Sequence, residues 1–222
     1  RGLLMNNKID LTRSRLKTPR AAAIAGIIFS ILLILIVILI RISIPPNPQD
    51  AGAWLSKSSK TVDLALNLVP FAGIAFLWFI GVVRDRLGEL EDRFFSTIFL
   101  GSGLLFLAML FAWSAVSGSI IESYIIDPDR LINTGMYSFI RSMAYQILNI
   151  YAMRMAGVFM IATSTLSIRT GIVPRWMAFL GYALAVVLLL TLLYNVWIIL
   201  LFPLWILLIS TYILIENFRK QI

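Results

Sequence analysis

The sequence predicts an all-α fold: a polytopic integral membrane bundle of six transmembrane helices with both termini cytoplasmic. Three observations predict it. Hydrophobic residues fill 60% of the 222 positions, well above the roughly 45–50% of a soluble domain. Apolar runs near the roughly 20 residues that a helix needs to cross hydrocarbon recur along the chain. The Lys and Arg behind the net charge of +8 flank those runs, which is the pattern of topology control rather than of nucleic-acid binding.

The same composition excludes whole classes of chemistry. There is no cysteine and no histidine, so disulfides, thiol catalysis, the usual haem and zinc ligands and His-based general bases are all missing. No cofactor or metal is expected. No catalytic motif is visible either.

Residues 1–20 carry six Lys/Arg against one acid and no apolar periodicity, so they read as a basic tail. Ala21 to Ile44 is the first span, 24 residues interrupted only by Arg41. Ala22 and Gly26 form a small-xxx-small face suited to close helix packing. Pro45, Pro46 and Pro48 then stop the helix, because they deny backbone donors.

A polar loop to Thr61, with a short amphipathic turn around Trp54 and Leu55, leads to the second span, 62–83. Asp63 and Asn67 lie one turn apart near its start. Pro70 follows, and a bundle tolerates it when a neighbour satisfies the carbonyl that it frees. Arg84 to Arg93 is a self-neutralising turn with Gly88 as its hinge.

The third span, 94–118, carries GSG at 101–103, Ala108, Ala112, Ser114 and Gly118 as further close-packing positions. Glu122 stands beyond its end. Asp127-Pro128 reads as a helix start, with Asp as N-cap and Pro at the first position. The fourth span, 139–168, is long enough to cross yet holds Arg154 at its centre. Gly171 caps it and Pro174 prevents continuation.

From Trp176 to Glu216 the chain is almost uninterruptedly apolar for about twice one crossing. Two helices, 176–193 and 197–216, account for it, with Tyr194, Asn195 and Trp197 marking a hairpin. Residues 217–222 end the chain. In this topology 13 Lys/Arg fall on the side of the termini and 5 on the other, with Arg154 between them, so the termini face the cytoplasm.

Several polar residues converge on the outer half of the membrane: Asp63, Asn67, Glu122, Tyr145, Gln146, Asn149 and Asn195, with Arg154 beneath them. A charge at this depth persists where protein shelters it. One reading is an outward-facing polar cavity above Arg154. The other, which we prefer, is that the acids sit at the interface while Arg154 is structural, paired or snorkelling.

Two stretches, FLWFIGVVRDRLGELEDRFFSTIFLGSGLLFLAMLF at 76–111 and MRMAGVFMIATSTLSIRTGIVPRWMAFLGYALAVVLLL at 153–190, resemble a family of uncharacterised bacterial membrane proteins with about six spans. The second is also similar to the broader DUF4386-type pattern. The resemblance implies a multi-pass protein of a bacterial inner membrane and carries over no activity or site residue. The functional expectation is a non-catalytic accessory or scaffold subunit, or a self-associating bundle. Its partners are then the lipid bilayer and other membrane-protein subunits or a second copy, not nucleic acid. The alternative is a small transporter or channel.

Overall fold

The computed structural model describes residues 2–45, 52–87, 93–190 and 196–219, with side chains described from Arg20 onward. Prolines 46 and 48, residues 88–92 of the expected turn with its Gly88, Tyr194, Asn195 and the last three residues lie outside the described residues. Among the described residues eight α-helices follow one another: α1 (Gly2–Ser43), α2 (Trp54–Leu87), α3 (Arg93–Ile126), α4 (Pro128–Asn133), α5 (Met136–Gln146), α6 (Met153–Thr170), α7 (Arg175–Leu190) and α8 (Leu201–Arg219). A π-helical segment, Ile147–Ala152, joins α5 to α6, and a 3₁₀ segment, Val196–Leu200, leads into α8.

Five helical stretches among the described residues are long and apolar enough to cross a membrane: Arg20–Ser43, Trp54–Arg84, Phe94–Ile126, Met136–Thr170 and Trp197–Arg219. The chain is therefore an all-α, multi-pass membrane bundle. The described part of α7 is apolar and 16 residues long, about 24 Å at 1.5 Å per residue against a hydrocarbon core of about 30 Å, and residues 191–195 that follow it lie outside the described residues.

Several helices run past their expected ends. The basic segment before Arg20 continues α1 rather than forming an irregular tail. A membrane helix is a ready nucleus and Leu, Met, Lys and Arg favour extending it, although the extension also has to accommodate Pro19. Likewise α2 begins at Trp54, inside the expected loop. Trp54 and Leu55 are buried, and that contact holds the first turn in place. The Asp127-Pro128 start forms as expected, with Asp127 Oδ1 accepting from the Arg130 N–H at 3.0 Å.

A layer of phenylalanines joins the helices. Phe76 of α2 packs against Phe29 of α1 at 4.5 Å between ring centroids, Phe106 of α3 at 5.4 Å, Phe159 of α6 at 5.3 Å and Phe202 of α8 at 5.9 Å. All five rings are fully buried. Lipid tails are as apolar as these side chains, so contact density rather than escape from water holds such a layer together.

Glycines let the helices close around it. A Cβ on Gly26 would collide with Ser210 Oγ and lie 2.9 Å from Phe79, and one on Gly181 would collide with Ser164 Oγ and lie 2.7 Å from Trp205. Ser164 and Ser210 are fully buried and their hydroxyls have no hydrogen-bond partner among the described residues. Each hydroxyl instead faces a glycine Cα–H across the helix interface, a weak contact that offsets part of its desolvation. Gly101 and Gly118, expected at packing faces, meet nothing within 4 Å.

Pro70 stands inside α2. Its missing N–H frees the carbonyl of Leu66, four residues earlier. Ser114 Oγ of α3 donates to that carbonyl at 3.3 Å, so the neighbouring helix supplies what proline withholds. Ser114→Ala is expected to lower stability by about 0.5–1.5 kcal/mol, read as thermal unfolding in detergent. In a Pro70→Ala background, where residue 70 regains its N–H, that loss should vanish; an undiminished loss would show that Ser114 acts elsewhere.

Candidate functional site

Distance along the helices from the phenylalanine layer sets the depth of each polar residue. Arg20 and Arg41 lie nine and twelve residues either side of Phe29, hence about 14 and 18 Å away at 1.5 Å per residue. Together they bracket about 32 Å, close to the hydrocarbon thickness of about 30 Å. Arg84 lies eight residues beyond Phe76 and Arg169 ten beyond Phe159, about 12 and 15 Å toward the Arg20 end. The layer therefore sits near the middle of the slab, with arginines at its boundaries.

Aromatic rings cover two of these boundary charges. The Arg20 guanidinium lies 4.7 Å from the centroid of Phe218, and that of Arg169 lies 4.6 Å from Phe95. A guanidinium over a ring face gains electrostatic attraction while shedding water.

The expected polar cluster distributes over the opposite half. Asp63 and Asn67 are exposed on α2, Glu122 is exposed on α3, and Gln146 is exposed at the end of α5. By the same measure Asp63 and Glu122 stand about 20 and 24 Å from the layer, at headgroup depth or beyond. Water reaches a carboxylate there, so neither needs a partner. Tyr145 and Asn149 are half-buried, and Asn149 Nδ2 donates to the Tyr145 carbonyl at 3.0 Å, within its own helix. Asn195 lies outside the described residues.

Arg154 is the one candidate at hydrocarbon depth. It lies five residues before Phe159, about 8 Å from the layer. The Met136–Thr170 span is the most buried of the five, as a central helix should be. Within it, however, Tyr151 is exposed and Arg154, Val158, Ile161 and Thr165 are half-buried, while Met153, Ala156, Phe159 and Met160 are buried. Arg154 thus belongs to the outward-facing stripe of its helix. It makes no hydrogen bond or ion pair among the described residues.

Two features explain that placement. The π segment ends two residues before Arg154, and a wider turn shifts every later residue relative to faces counted at 3.6 per turn. α7 packs on α6 at Gly157, through Ala185 and Leu189. Arg154 stands one turn beyond. Its stem can lie along the apolar surface while the head rises toward the boundary.

A polar network that the sequence reading did not assemble ties the far end together. Trp54 Nε1 donates to Tyr137 Oη at 2.8 Å, and Arg141 Nη1 donates to the same oxygen at 3.3 Å. Arg141 Nη2 donates to the Pro45 carbonyl at 2.9 Å. The bonds join the end of α1, the start of α2 and α5. The sequence held only a diffuse signal for it, Arg and aromatic residues at span ends. Among the described residues no three His, Cys, Asp or Glu side chains gather as a metal site requires.

Comparison with known proteins finds no family model, no curated protein and no solved structure that matches the chain. Functional reasoning therefore rests on the site alone. Replacing Arg154 with leucine removes a charge that has no partner among the described residues, so the variant is expected to fold with an unchanged or higher melting temperature. A buried arginine with a hidden acidic partner would instead cost about 3–5 kcal/mol on removal, and a loss of that size in detergent unfolding would refute the unpaired placement.

Proposed function

We propose that the chain is a non-catalytic scaffold or accessory protein of a bacterial inner membrane that acts through contacts with other subunits or with itself. The observation that carries this reading is the phenylalanine layer: rings from α1, α2, α3, α6 and α8 close the bundle axis at mid-membrane depth. A closed apolar core supports a role exerted from the outer surface. α2 offers such a surface in exposed Phe71, Ile74 and Trp78.

Six crossings and cytoplasmic termini belong to this proposal. Five crossings would leave the two ends of the chain on opposite sides, whereas Arg20 near the start of the first span lies over Phe218 near the end of the last. That proximity supports α7 as the additional crossing. The charge asymmetry supports the cytoplasmic side. Membership of the DUF4386-like family is likewise part of the proposal and rests on the two stretches quoted above.

Crosslinking with mass spectrometry on protein purified in mild detergent is expected to return a reproducible partner or self-crosslinks between exposed faces. A monodisperse monomer that yields neither would overturn the proposal. One observation favours transport as the second reading, an arginine at hydrocarbon depth with no partner among the described residues. In proteoliposomes the scaffold reading expects no Arg154-dependent flux; ion or solute flux that Arg154→Leu abolishes while folding persists would favour transport instead.

A further inference from the structure

Arg41 differs from the other boundary arginines. It lies about 18 Å from the phenylalanine layer, at the depth where phospholipid headgroups begin. It is half-buried, and its Nε, like that of Arg20, is sealed from water without an acceptor. No hydrogen bond or ion pair reaches Arg41 among the described residues. Arg20 and Arg169, by contrast, lie against rings.

The surroundings concentrate positive charge. α5 passes the end of α1 so that Arg141 bonds the Pro45 carbonyl at 2.9 Å, while Tyr145, one turn along α5, lies within electrostatic reach of Arg41. Arg41 and Arg141 therefore both lie along the seam between the end of α1 and α5, with Arg141 bonded to Pro45 just past that end and Arg41 within reach of Tyr145. A desolvated guanidinium calls for an anionic acceptor, and the described acids Asp63 and Glu122 form no ion pair. A planar fork of N–H donors suits phosphate oxygens in particular.

We propose that Arg41, with Arg141 beside it, binds the phosphate group of an anionic phospholipid at the membrane boundary opposite Arg20. The phosphate accepts from the Arg41 fork and neutralises the paired charge, while the acyl chains lie along the exposed apolar side of α1 at Ile38 and Ile42. Tyr145 flanks the headgroup.

The test uses the full chain, delipidated in detergent and supplied with phosphatidylglycerol, phosphatidylcholine or inorganic phosphate. Native mass spectrometry counts retained lipid and thermal unfolding reads stabilisation. Wild-type protein is expected to retain phosphatidylglycerol over phosphatidylcholine, and Arg41→Gln to weaken retention about tenfold, the scale of one lost charge-assisted pair. Arg41→Lys keeps the charge but not the fork, so it guards against misfolding of the glutamine variant and should also lose retention. Arg130→Gln, in the exposed helix α4, should lose none. Arg41-dependent stabilisation by inorganic phosphate without lipid preference would keep the anion site and identify soluble phosphate as its source. Equal behaviour of wild type, Arg41→Lys and Arg141→Gln toward all three probes would overturn the proposal.

Discussion

The Phe76 ring is the contact on which the rest of the bundle depends. It meets rings from four other helices, so no two of those helices can shift without disturbing it. In water such a cluster would be stabilised chiefly by escape from solvent. In lipid that driving force is absent, and only dense contact and satisfied backbone groups favour association. The glycines therefore matter as much as the phenylalanines. Gly26 admits Ser210 and Phe79, Gly103 admits Ile80 and Phe159, and Gly181 admits Ser164 and Trp205. Each removes a side chain from one helix so that a ring or hydroxyl from the next can approach.

The same backbone constraint explains how polar residues are accommodated. Thr163, Thr165 and Thr170 donate to carbonyls four residues back in α6, which leaves few free donors facing lipid. Thr165 is also bonded to Tyr182 of α7 at 2.7 Å. Ser114 donates between helices because proline has created an acceptor there. Arginine is handled by depth: Arg20 and Arg169 stop at the boundary under a ring, and Arg154, deeper, is turned to the less buried side of its helix.

Much of this was legible in the sequence, and the reason is physical. Hydrocarbon thickness fixes span length, so apolar runs located the crossing helices, and Pro70 announced the need for a donor that proved to be Ser114. Gly171 stands at φ 66°, in the left-handed region a helix-ending glycine favours. Helix ends were less legible. The membrane sets where apolar residues stop, but tertiary contacts such as Trp54 on Tyr137 decide where a helix stops. The facing of Arg154 was less legible for another reason. Sequence gives depth through counting but gives facing only through an unbroken period, and the π turn before Arg154 breaks it. The Trp54, Tyr137 and Arg141 network joins residues 83 and 4 positions apart, a juxtaposition no local pattern encodes.

Arg154 and Arg41 together bear on what the molecule is for. A transport pathway through the bundle would need polar groups in succession from one face to the other, yet five rings fill the centre and the nearest charge, Arg154, turns to the outside of its helix. Any chemistry of these arginines is thereby directed at the periphery: Arg154 toward lipid or a neighbouring chain, Arg41 toward the headgroup layer. A closed centre with charged groups on the rim is the arrangement behind our proposal of recognition by what surrounds the bundle. Of the two boundary arginines whose Nε is sealed without an acceptor, Arg20 has a ring over its guanidinium and Arg41 has none among the described residues, so an anionic acceptor at Arg41 replaces no existing bond.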